Sequence, residues 1–483
     1  MMKGNRLPYV PLIHCFMCSL VLLLPVEGIL LPLQVEQDFN MPPSCPLLFN
    51  GWNILNTTEQ RPECARVFLN DSDYIAQIGK RRLTFEDPLW LEMGCANGIR
   101  KRNYFPVKEG FEDAEFPLAQ PNNWYCYSVD HKSNNKFHMR LKQLSECLPN
   151  VVVSTRKWNI DSAGHNMTRA LLDCLHLLTV PEKRWEYVAL LQNHDVAIKT
   201  NREMVQIYRW LNEANDVEVT WLPRGRVNES LDWSFDAIGL FRNASRNLLD
   251  VEGFPPKLVF SKGYMESSLS RKMAEFIVYE LDLTETVRRL ESGDFGIDEI
   301  HVPTLHAADA LQAPGGFTRD CLERKGGPFR VQHITRAGIW YDVKKCGSGH
   351  MRHEVCIFGM EDLADKMAVW PHLFANKLMP QFDFGALLCW WEKMHQRAYI
   401  ETRQRSLSRL NSAFYADLPH VSARDVTGCQ KKSGHPVTSQ VRFQKFAADL
   451  RKLNDAQRGT KDAIPFRKAL AFFNCSTDEF NVN

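Results

Sequence analysis

Short apolar runs alternate with amphipathic stretches between residues 124 and 222. Four runs rich in aliphatic, β-branched or aromatic residues predict buried strands: 124–129, 150–154, 185–192 and 217–222. Three stretches with a continuous apolar face predict helices between them: 136–147, 168–178 and 201–212. Strands and helices that follow one another in this way predict an α/β fold, in which a parallel sheet carries helices on its faces.

Two short polar sequences follow predicted strands, where α/β proteins bind their ligands. The sequence DHKS, which begins at Asp130, follows the first predicted strand, and NHD, which ends at Asp195, follows the third. Because ligands of such sheets bind beyond the carboxyl ends of the strands, we expect both aspartates near a ligand. The chain contains neither GxGxxG nor GxxxxGK[ST], so a glycine-rich phosphate loop is not expected.

The first 34 residues contain an apolar run that is typical of protein export. Lys3 and Arg6 precede the run from Leu12 to Leu24, which is shorter than the ~20 residues that span a bilayer. This arrangement predicts a signal anchor, or a cleavable signal peptide that ends near Gly28. Either would place the rest of the chain in the secretory pathway, and the alternative is a buried N-terminal helix.

Cysteines and glycosylation motifs agree with export. The sequence has 14 cysteines, of which 12 lie scattered beyond the apolar run without any CxxC pair. Dispersed cysteines downstream of an export signal predict disulfides rather than metal ligands, although the connectivity stays open. Asn-x-Ser/Thr motifs predict N-glycosylation in a lumenal protein, at Asn56, Asn70, Asn166, Asn228 and Asn243.

Composition and charge exclude some classes of protein. Hydrophobic residues make up 44% of the chain and charged residues 24%, as in a folded globular protein. The net charge of +2 gives no sign of a nucleic-acid binder, so any binding of anions must be local.

Three segments, in this order, resemble one enzyme family. Trp185 to Thr200 (WEYVALLQNHDVAIKT) is similar to a strand followed by the signature D-x-P-[IL]-K-T-N, with Ala197 in place of proline. GYMESSLSR at 263–271, with the following Asp298-Glu299, is similar to "GSAY…SR" and then "DE". The third and most specific segment contains VCIFG and HLFANK within 355–377. Together they resemble the core-2/I-branching β-1,6-N-acetylglucosaminyltransferases, a family that includes peptide O-xylosyltransferases, and in texture its nematode members.

The resemblance implies a GT-A-like, Rossmann-related fold in a type II Golgi membrane protein. It also implies a UDP-sugar donor, usually UDP-GlcNAc, a glycan or glycoprotein acceptor, and no metal or other cofactor. The one Asp-x-Asp sequence, at 71–73, precedes the predicted sheet and overlaps a glycosylation motif, so we expect no metal there. We divide the chain into an N-terminal tail and export segment, a lumenal stem, a catalytic domain and a C-terminal extension without assigned chemistry: 1–34, 35–115, 116–400 and 401–483.

Two residues match the family's chemistry directly. Glu299 matches the catalytic base, which takes the proton of the acceptor hydroxyl in an inverting displacement. The alternative is that Asp298 and Glu299 only stabilise the start of a helix. Lys377, in FANK, matches one of two cations that neutralise the departing diphosphate, and its alternative is a solvated surface lysine.

The second cation and the acceptor contacts depart from the family. The family's arginine, three residues before the cysteine of VCIFG, corresponds to His353, and Arg352 lies one position earlier. A slip of one residue on a strand would point Arg352 to the opposite face, and a protonated His353 would make activity depend on pH. The family's Trp-x-Tyr pair, which contacts the acceptor, corresponds to VQH at 331–333.

A larger departure concerns the start of the domain. FPLA at 116–119 runs directly into QPNNW at 120–124, so the family's first strand and helix are expected to be absent. Their loss would leave strand edges unpaired and the nucleotide pocket open. Two explanations stay open: the sequence reflects a mispredicted or skipped exon, or this form is an inactive lumenal binding protein of the same fold. Further alternatives are a xylosyltransferase and, least favoured, a glycoside hydrolase with paired carboxylates.

Overall fold

A computed structural model describes the strand at 18–24 and five longer ranges: 61–85, 123–250, 253–319, 330–401 and 403–422. Asn56, the FPLA sequence at 116–119 and the chain beyond 422 lie outside the described residues. The fold is mixed α/β. Its strands are β1 Cys18–Leu24, β2 Trp124–Val129, β3 Val151–Val153, β4 Tyr187–Leu191, β5 Val196–Ala197, β6 Val219–Trp221, β7 Ser261–Lys262, β8 Ser267–Ser270, β9 Arg330–Val331, β10 Arg336–Ala337, β11 Met351–Arg352, β12 Val355–Cys356 and β13 Phe374–Ala375.

The helices surround these strands and in three cases match the predicted stretches closely. They are α1 Cys64–Phe68, α2 Ser72–Gly79, α3 Asn135–Cys147, α4 Met167–Leu178, α5 Asn201–Leu211, α6 Phe235–Ile238, α7 Ser245–Leu248, α8 Arg271–Glu275, α9 Thr284–Leu290, α10 Asp298–Ala307, α11 Pro380–His395, α12 Arg403–Ser408, α13 Ser412–Ala416 and α14 Pro419–Ser422. Helix α5 begins with a capping box, in which Thr200 and Glu203 each bond the other's backbone N–H. The predicted helices at 136–147, 168–178 and 201–212 are confirmed.

The main sheet has the strand order β3-β2-β1-β4-β8. Strands β2 and β3 pair in parallel, whereas β1 runs antiparallel to both β2 and β4, and β8 runs antiparallel to β4. The expectation of a purely parallel sheet was therefore wrong. Because β2, β3 and β4 still run in the same direction, Asp130 and Asp195 follow strands that end at one edge of the sheet, as predicted.

The strand β1 lies within the predicted export segment. Its residues pair from Cys18 with Val129 to Leu23 with Trp124 on one side, and from Leu20 with Leu191 to Leu24 with Tyr187 on the other. The alternative of a buried N-terminal helix was wrong for these seven residues, which are extended. The strand edges of β2 and β4 that we expected to be unpaired are paired. Among the described residues, no helix combines the length and apolar character needed to cross a membrane.

Alternate residues of the central strands face two separate hydrophobic cores. In β2, Tyr125 and Tyr127 pack on one side of the sheet with residues of α3 and α5, whereas Cys126 packs on the other with α4. The disulfide between Cys126 and Cys174 ties α4 to the sheet. This period of two is what a strand buried on both faces produces.

Two smaller sheets position the polar residues described below. The strands β7, β6 and β9 form one sheet, so the predicted fourth strand, at 217–222, does not continue the main sheet as we expected. The strands β10, β13 and β5 form the other, with Ala375 paired to both Ala337 and Val196. A hairpin of β11 and β12 is closed by the disulfide between Cys346 and Cys356.

Residues on both sides of the predicted domain pack against it. Cys64 of the predicted stem forms a disulfide with Cys389 of α11. Arg82 pairs with Glu361 at 2.6 Å and with the buried Asp383 at 2.5 Å. These contacts, together with the two other described cystines, confirm that the dispersed cysteines form disulfides; Cys45 and Cys95 lie outside the described residues.

The segment after residue 400 also belongs to the packed structure. Ser406 of α12 donates a hydrogen bond to Glu203 of α5 at 3.0 Å, and Tyr415 is fully buried with its hydroxyl bonded to the Pro371 carbonyl. The domain therefore continues at least to α14, some twenty residues past the boundary that the sequence predicts.

Candidate active site

Glu299 lies in the first turn of α10, where an acidic side chain also interacts favourably with the helix dipole. Its neighbour Asp298 lies against Gly164, and desolvation together with the charge of Glu299 raises the pKa of Asp298 to about 6. Both acids are partly exposed, and 25% of the Glu299 side chain is accessible. Glu299 is therefore open to a reactant.

Two cations from different parts of the chain contact one oxygen of Glu299. Arg226 donates a hydrogen bond to Oε2 at 2.9 Å, and the Lys262 ammonium lies 3.2 Å from the same atom. Among the described residues, none donates a hydrogen bond to Oε1. One carboxylate oxygen is thus held in place while the other remains available to accept a proton.

Lys377 follows β13, at the edge of the second small sheet. Its backbone N–H donates to the Cys356 carbonyl at 3.3 Å, and its own carbonyl accepts from Phe358 at 2.8 Å. Its ammonium is bonded only weakly, to the Arg352 carbonyl at 3.5 Å. Burial, together with repulsion from Arg352 and Arg336, lowers the pKa of Lys377 to about 8. Such a half-buried, poorly compensated cation is suited to binding an anion.

The hairpin of β11 and β12 places Arg352 and His353 differently. Arg352 pairs with Val355, so His353 and Glu354 are the two residues of the turn, both with positive φ. Both Arg352 and His353 are exposed. Arg352 lies close enough to Lys377 to lower its pKa, whereas His353 lies at the tip of the hairpin.

Behind Lys377, one guanidinium is shared by two buried carboxylates. Arg336 Nη1 lies 2.7 Å from Glu266 Oε1 and 3.7 Å from Asp195 Oδ1. Asp195 also accepts hydrogen bonds from the Asn376 amide at 2.8 Å and the Gln192 backbone at 2.7 Å. Burial raises the pKa of Glu266 to about 8, and it also raises that of Asp195, in both cases against the attraction of Arg336. Asp195 therefore positions the motif that carries Lys377 rather than reaching outward itself.

The pairing of β5 with β13 and of β13 with β10 explains this cluster. Asp195 immediately precedes β5, Lys377 follows β13 and Arg336 begins β10, so three distant segments converge in one small sheet. The charge of Asp298 contributes to the raised pKa of Glu266, and the charge of Glu266 in turn acts to raise that of Lys377.

Asp130 lies at the same sheet edge but in a different environment. It is fully buried, accepts a hydrogen bond from the Lys132 backbone at 2.9 Å and forms an ion pair with the Lys132 ammonium at 3.6 Å. Its Oδ2 accepts no hydrogen bond from the described residues. Asp130 follows β2 and Asp195 follows β4, and these two strands are separated by β1.

An aromatic surface borders the cluster, although VQH at 331–333 offers none. The rings of Tyr264 and Trp340 stack with their centroids 5.7 Å apart, and Arg336 lies 5.5 Å from the Tyr264 ring. Tyr341 adds a ring that is 74% exposed, 6.0 Å from Trp340. Aromatic faces of this kind can pack against sugar rings, and they lie a few residues beyond the place where the sequence comparison sought them.

No described residues form a group of three or more His, Cys, Asp or Glu side chains that could hold a metal ion. In the Asp-x-Asp sequence of the predicted stem, Asp71 caps α2 by accepting from the Tyr74 backbone and pairs with Arg66 at 2.7 Å. Its carboxylate therefore has a structural role in α2.

The described glycosylation motifs differ in accessibility. Asn70, Asn228 and Asn243 are exposed, as are the serines of their motifs. The Asn166 amide instead donates to the Asn159 carbonyl at 2.9 Å, and Thr168 of that motif is buried. Glycosylation stays a prediction, and the three exposed asparagines fit it best.

Several residues of the site were not found from the sequence. Arg226, Lys262 and Arg336 lie outside the three segments that carry the resemblance, and Glu266 lies within GYMESSLSR but was not singled out. Each acquires its partner only through tertiary contacts. The adjacent aromatic residues Trp340 and Tyr341, in the sequence IWYD, were the most visible signal.

Comparison with known proteins identifies the family of this chain. The family model described as "Core-2/I-Branching enzyme" matches residues 112–367, more than half of the chain. The matched region includes Glu299 and Arg352 and ends before Lys377.

Similar enzymes come from several vertebrates. A beta-1,3-galactosyl-O-glycosyl-glycoprotein beta-1,6-N-acetylglucosaminyltransferase of Bos taurus is 25% identical over 400 residues, covering 73% of this chain and 90% of that protein. The Homo sapiens protein of the same name is 26% identical over 382 residues, covering 70% and 86%. An N-acetyllactosaminide beta-1,6-N-acetylglucosaminyl-transferase of Mus musculus is 24% identical over 351 residues, covering 64% of this chain and 82% of that protein.

These comparisons give no support to the expected likeness to nematode members. The chain belongs to the Core-2/I-branching enzyme family and is a glycosyltransferase.

Proposed function

We propose that this glycosyltransferase transfers GlcNAc from UDP-GlcNAc to a hydroxyl of a glycan or glycoprotein, with inversion and without a metal. The observation that carries the proposal is the environment of Glu299, whose Oε2 is held by Arg226 and Lys262 while Oε1 has no hydrogen-bond donor among the described residues. An oxygen in this state can take the proton of the attacking hydroxyl, an effect usually worth ~10²–10⁴-fold in rate.

On the donor side, Lys377 and Arg352 neutralise the diphosphate as its charge grows. A cation 4 Å from a phosphate oxygen contributes ~4 kcal/mol at an effective dielectric of 20, before desolvation. Lys377 is suited to this role because burial has already removed part of its water, and no carboxylate of the described residues lies within 4 Å of it. Fixed cations of this kind require no rearrangement during the reaction.

The acceptor side combines Glu299 with nearby aromatic rings. The names of the relatives support a β-1,6-linked product on a galactosyl glycan. Tyr264 and Trp340 provide stacked faces for such a sugar. We further propose that the fold is of the GT-A, Rossmann-related class, which the common direction of β2, β3 and β4 supports.

We place the catalytic domain in the lumen of the secretory pathway, and in the Golgi in particular. The disulfides and the exposed motifs at Asn228 and Asn243 support this location. Attachment to the membrane through residues 1–34 would require β1 to leave the sheet, because these seven residues cannot cross a bilayer while they pair with β2 and β4.

The test is release of UDP from UDP-GlcNAc in the presence of EDTA and a glycoprotein that carries β-1,3-galactosyl O-glycans. We expect the wild type to be active and Glu299→Gln to lose ~10²–10⁴-fold in kcat, because the amide cannot accept the proton. Glu280→Gln, which removes a surface pair with Arg246, is the matched control and should retain activity.

Three outcomes would contradict parts of the proposal. Activity that disappears with EDTA contradicts the metal-free mechanism, and full activity of Glu299→Gln removes Glu299 as the base. Turnover of UDP-xylose but not UDP-GlcNAc would favour the xylosyltransferase alternative. Calorimetry with UDP addresses the inactive alternative, since a protein without a functional nucleotide site shows no saturable binding.

A further inference from the structure

The two cations that contact Glu299 reach it from separate elements. Lys262 ends β7, and Arg226 lies in the loop after β6, 73 residues before the acid. Both are largely buried, with 28% and 20% of their side chains exposed. Both cations contact the same oxygen of Glu299, and this convergence favours a specific role over two independent ion pairs.

We propose that Lys262 and Arg226 are positioning residues for Glu299, which fix its carboxylate so that Oε1 faces the acceptor hydroxyl. This inference rests on the proposed role of Glu299 as the base. The two cations hold the same oxygen and therefore constrain the rotation of the carboxylate about its last bond. A base held in one orientation avoids the loss of rate that accompanies a misplaced reactive group.

The backbone next to Lys262 supports this role. The Gly263 N–H donates to the Glu299 carbonyl at 2.9 Å, which fixes the distance between β7 and the start of α10. A Cβ at Gly263 would overlap the Glu218 carbonyl oxygen, so only glycine permits this approach. The hydrogen bond of Gly263 therefore holds the preceding residue, Lys262, beside Glu299.

A second glycine makes room for Arg226. Gly296 has φ +63°, and a Cβ there would overlap Arg226 Nη2 and lie 2.7 Å from Glu299 Oε2. Arg226 uses this space to donate to the Gly296 carbonyl at 2.8 Å as well as to Glu299. The Phe295 ring, 5.6 Å away, covers its guanidinium. The two glycines thus shape the site around a single carboxylate oxygen.

Two other roles for these cations make different predictions. If they only stabilised the fold, their removal would lower the melting temperature and leave kcat per folded molecule unchanged. If they masked Glu299, their removal would raise kcat. A positioning role predicts a lower kcat with KM nearly unchanged, because the loss concerns the transition state and not substrate binding.

The experiment compares Lys262→Met, Lys262→Arg and the control Lys272→Met, which removes a surface pair with Glu213. We expect Lys262→Met to lower kcat by about 10- to 100-fold, with KM within about twofold. Lys262→Arg should restore most of the rate, and Lys272→Met should match the wild type. Melting temperatures measured in parallel show that the variants are folded.

Combining Lys262→Met with Glu299→Gln distinguishes action through the acid from an independent contribution. If Lys262 acts through Glu299, the double variant should be slower than Glu299→Gln by less than about twofold. Effects that multiply, or an unchanged or higher kcat in Lys262→Met, would overturn the inference while leaving Glu299 as the base. Full activity of Glu299→Gln would instead remove the proposed function, and this inference with it.

Gly296→Ala gives a second route to the same question without changing a charge. The added methyl group must displace Arg226 from Glu299. We expect a lower kcat, by about tenfold or more, in a folded protein. A folded Gly296→Ala variant with the kcat of the wild type would show that the contact from Arg226 is not needed.

Discussion

The charges near Glu299 and those near Lys377 are organised in opposite ways. Around Glu299, two cations form ion pairs with one partly exposed carboxylate. Behind Lys377, one arginine serves two buried carboxylates, Asp195 and Glu266. The first arrangement can lose a partner without burying an unpaired charge, and the second cannot. We therefore expect changes near Glu299 to affect mainly the reaction, and changes behind Lys377 to affect folding as well.

The largest expected effect comes from Arg336→Met. The substitution leaves Asp195 and Glu266 buried without their shared cation, and breaking a buried pair in this way costs about 3–5 kcal/mol of unfolding free energy. Denaturation by urea, followed by circular dichroism, measures it. Lys262→Met is the matched case from the other region and should cost about 0–1 kcal/mol. Equal losses for the two variants would contradict the comparison.

A smaller effect is expected for Arg352→Met, because the Arg352 side chain is exposed to solvent. Removing the second cation beside Lys377 should weaken UDP binding about tenfold, or ~1.4 kcal/mol, and less at high salt because the site is open to solvent. Calorimetric titration with UDP measures the change. His353→Ala should bind UDP as the wild type does. If His353→Ala loses affinity and Arg352→Met does not, the assignment from the hairpin register is wrong.

The last expected effect is a dependence of UDP binding on pH, which over any one pH unit is smaller than the loss expected for Arg352→Met. Burial lowers the pKa of Lys377 to about 8, so the charged form that binds the diphosphate is present below that pH and lost as the pH rises through it. We expect the Kd for UDP to rise about twofold from pH 7 to 8 and about fivefold from pH 8 to 9. Glu266, whose pKa is also about 8, gains a negative charge over the same range.

Two variants separate these contributions. Lys377→Met should bind UDP weakly, and any remaining dependence on pH would then come from Glu266. Glu266→Gln should retain the rise of Kd that Lys377 causes. A Kd that is constant between pH 7 and 9 would contradict the low pKa of Lys377 in the folded protein.

The sequence predicted local structure well where a pattern repeats within one element. The alternation of Tyr125, Cys126 and Tyr127 between two cores is a property of β2 alone, and the capping box of α5 lies within four residues. The prediction that Asp130 and Asp195 lie at one edge of the sheet also rested on a local pattern, because each follows a predicted strand directly. Glu299 and Lys377 were predicted from motifs whose residues are close together in the chain, and their roles stay predictions.

What the sequence could not predict depends on contacts between distant segments. Lys262 meets Glu299 only because β7 and α10 are joined by the hydrogen bond from Gly263 to the Glu299 carbonyl. The sequence also left open whether Arg352 belongs to β11 or to the turn that follows it, because the same residues are compatible with both arrangements. The antiparallel β1 was missed because its apolar residues are equally typical of an export segment.

The pairing of Cys18–Leu24 has a practical consequence for production of the enzyme. Secreted forms of such proteins are commonly made by deleting everything before the stem, which here would start the recombinant protein near residue 35. That truncation would remove the middle strand of the main sheet and separate β2 from β4. A version that keeps residue 18 onward behind a heterologous leader would preserve both rows of backbone hydrogen bonds.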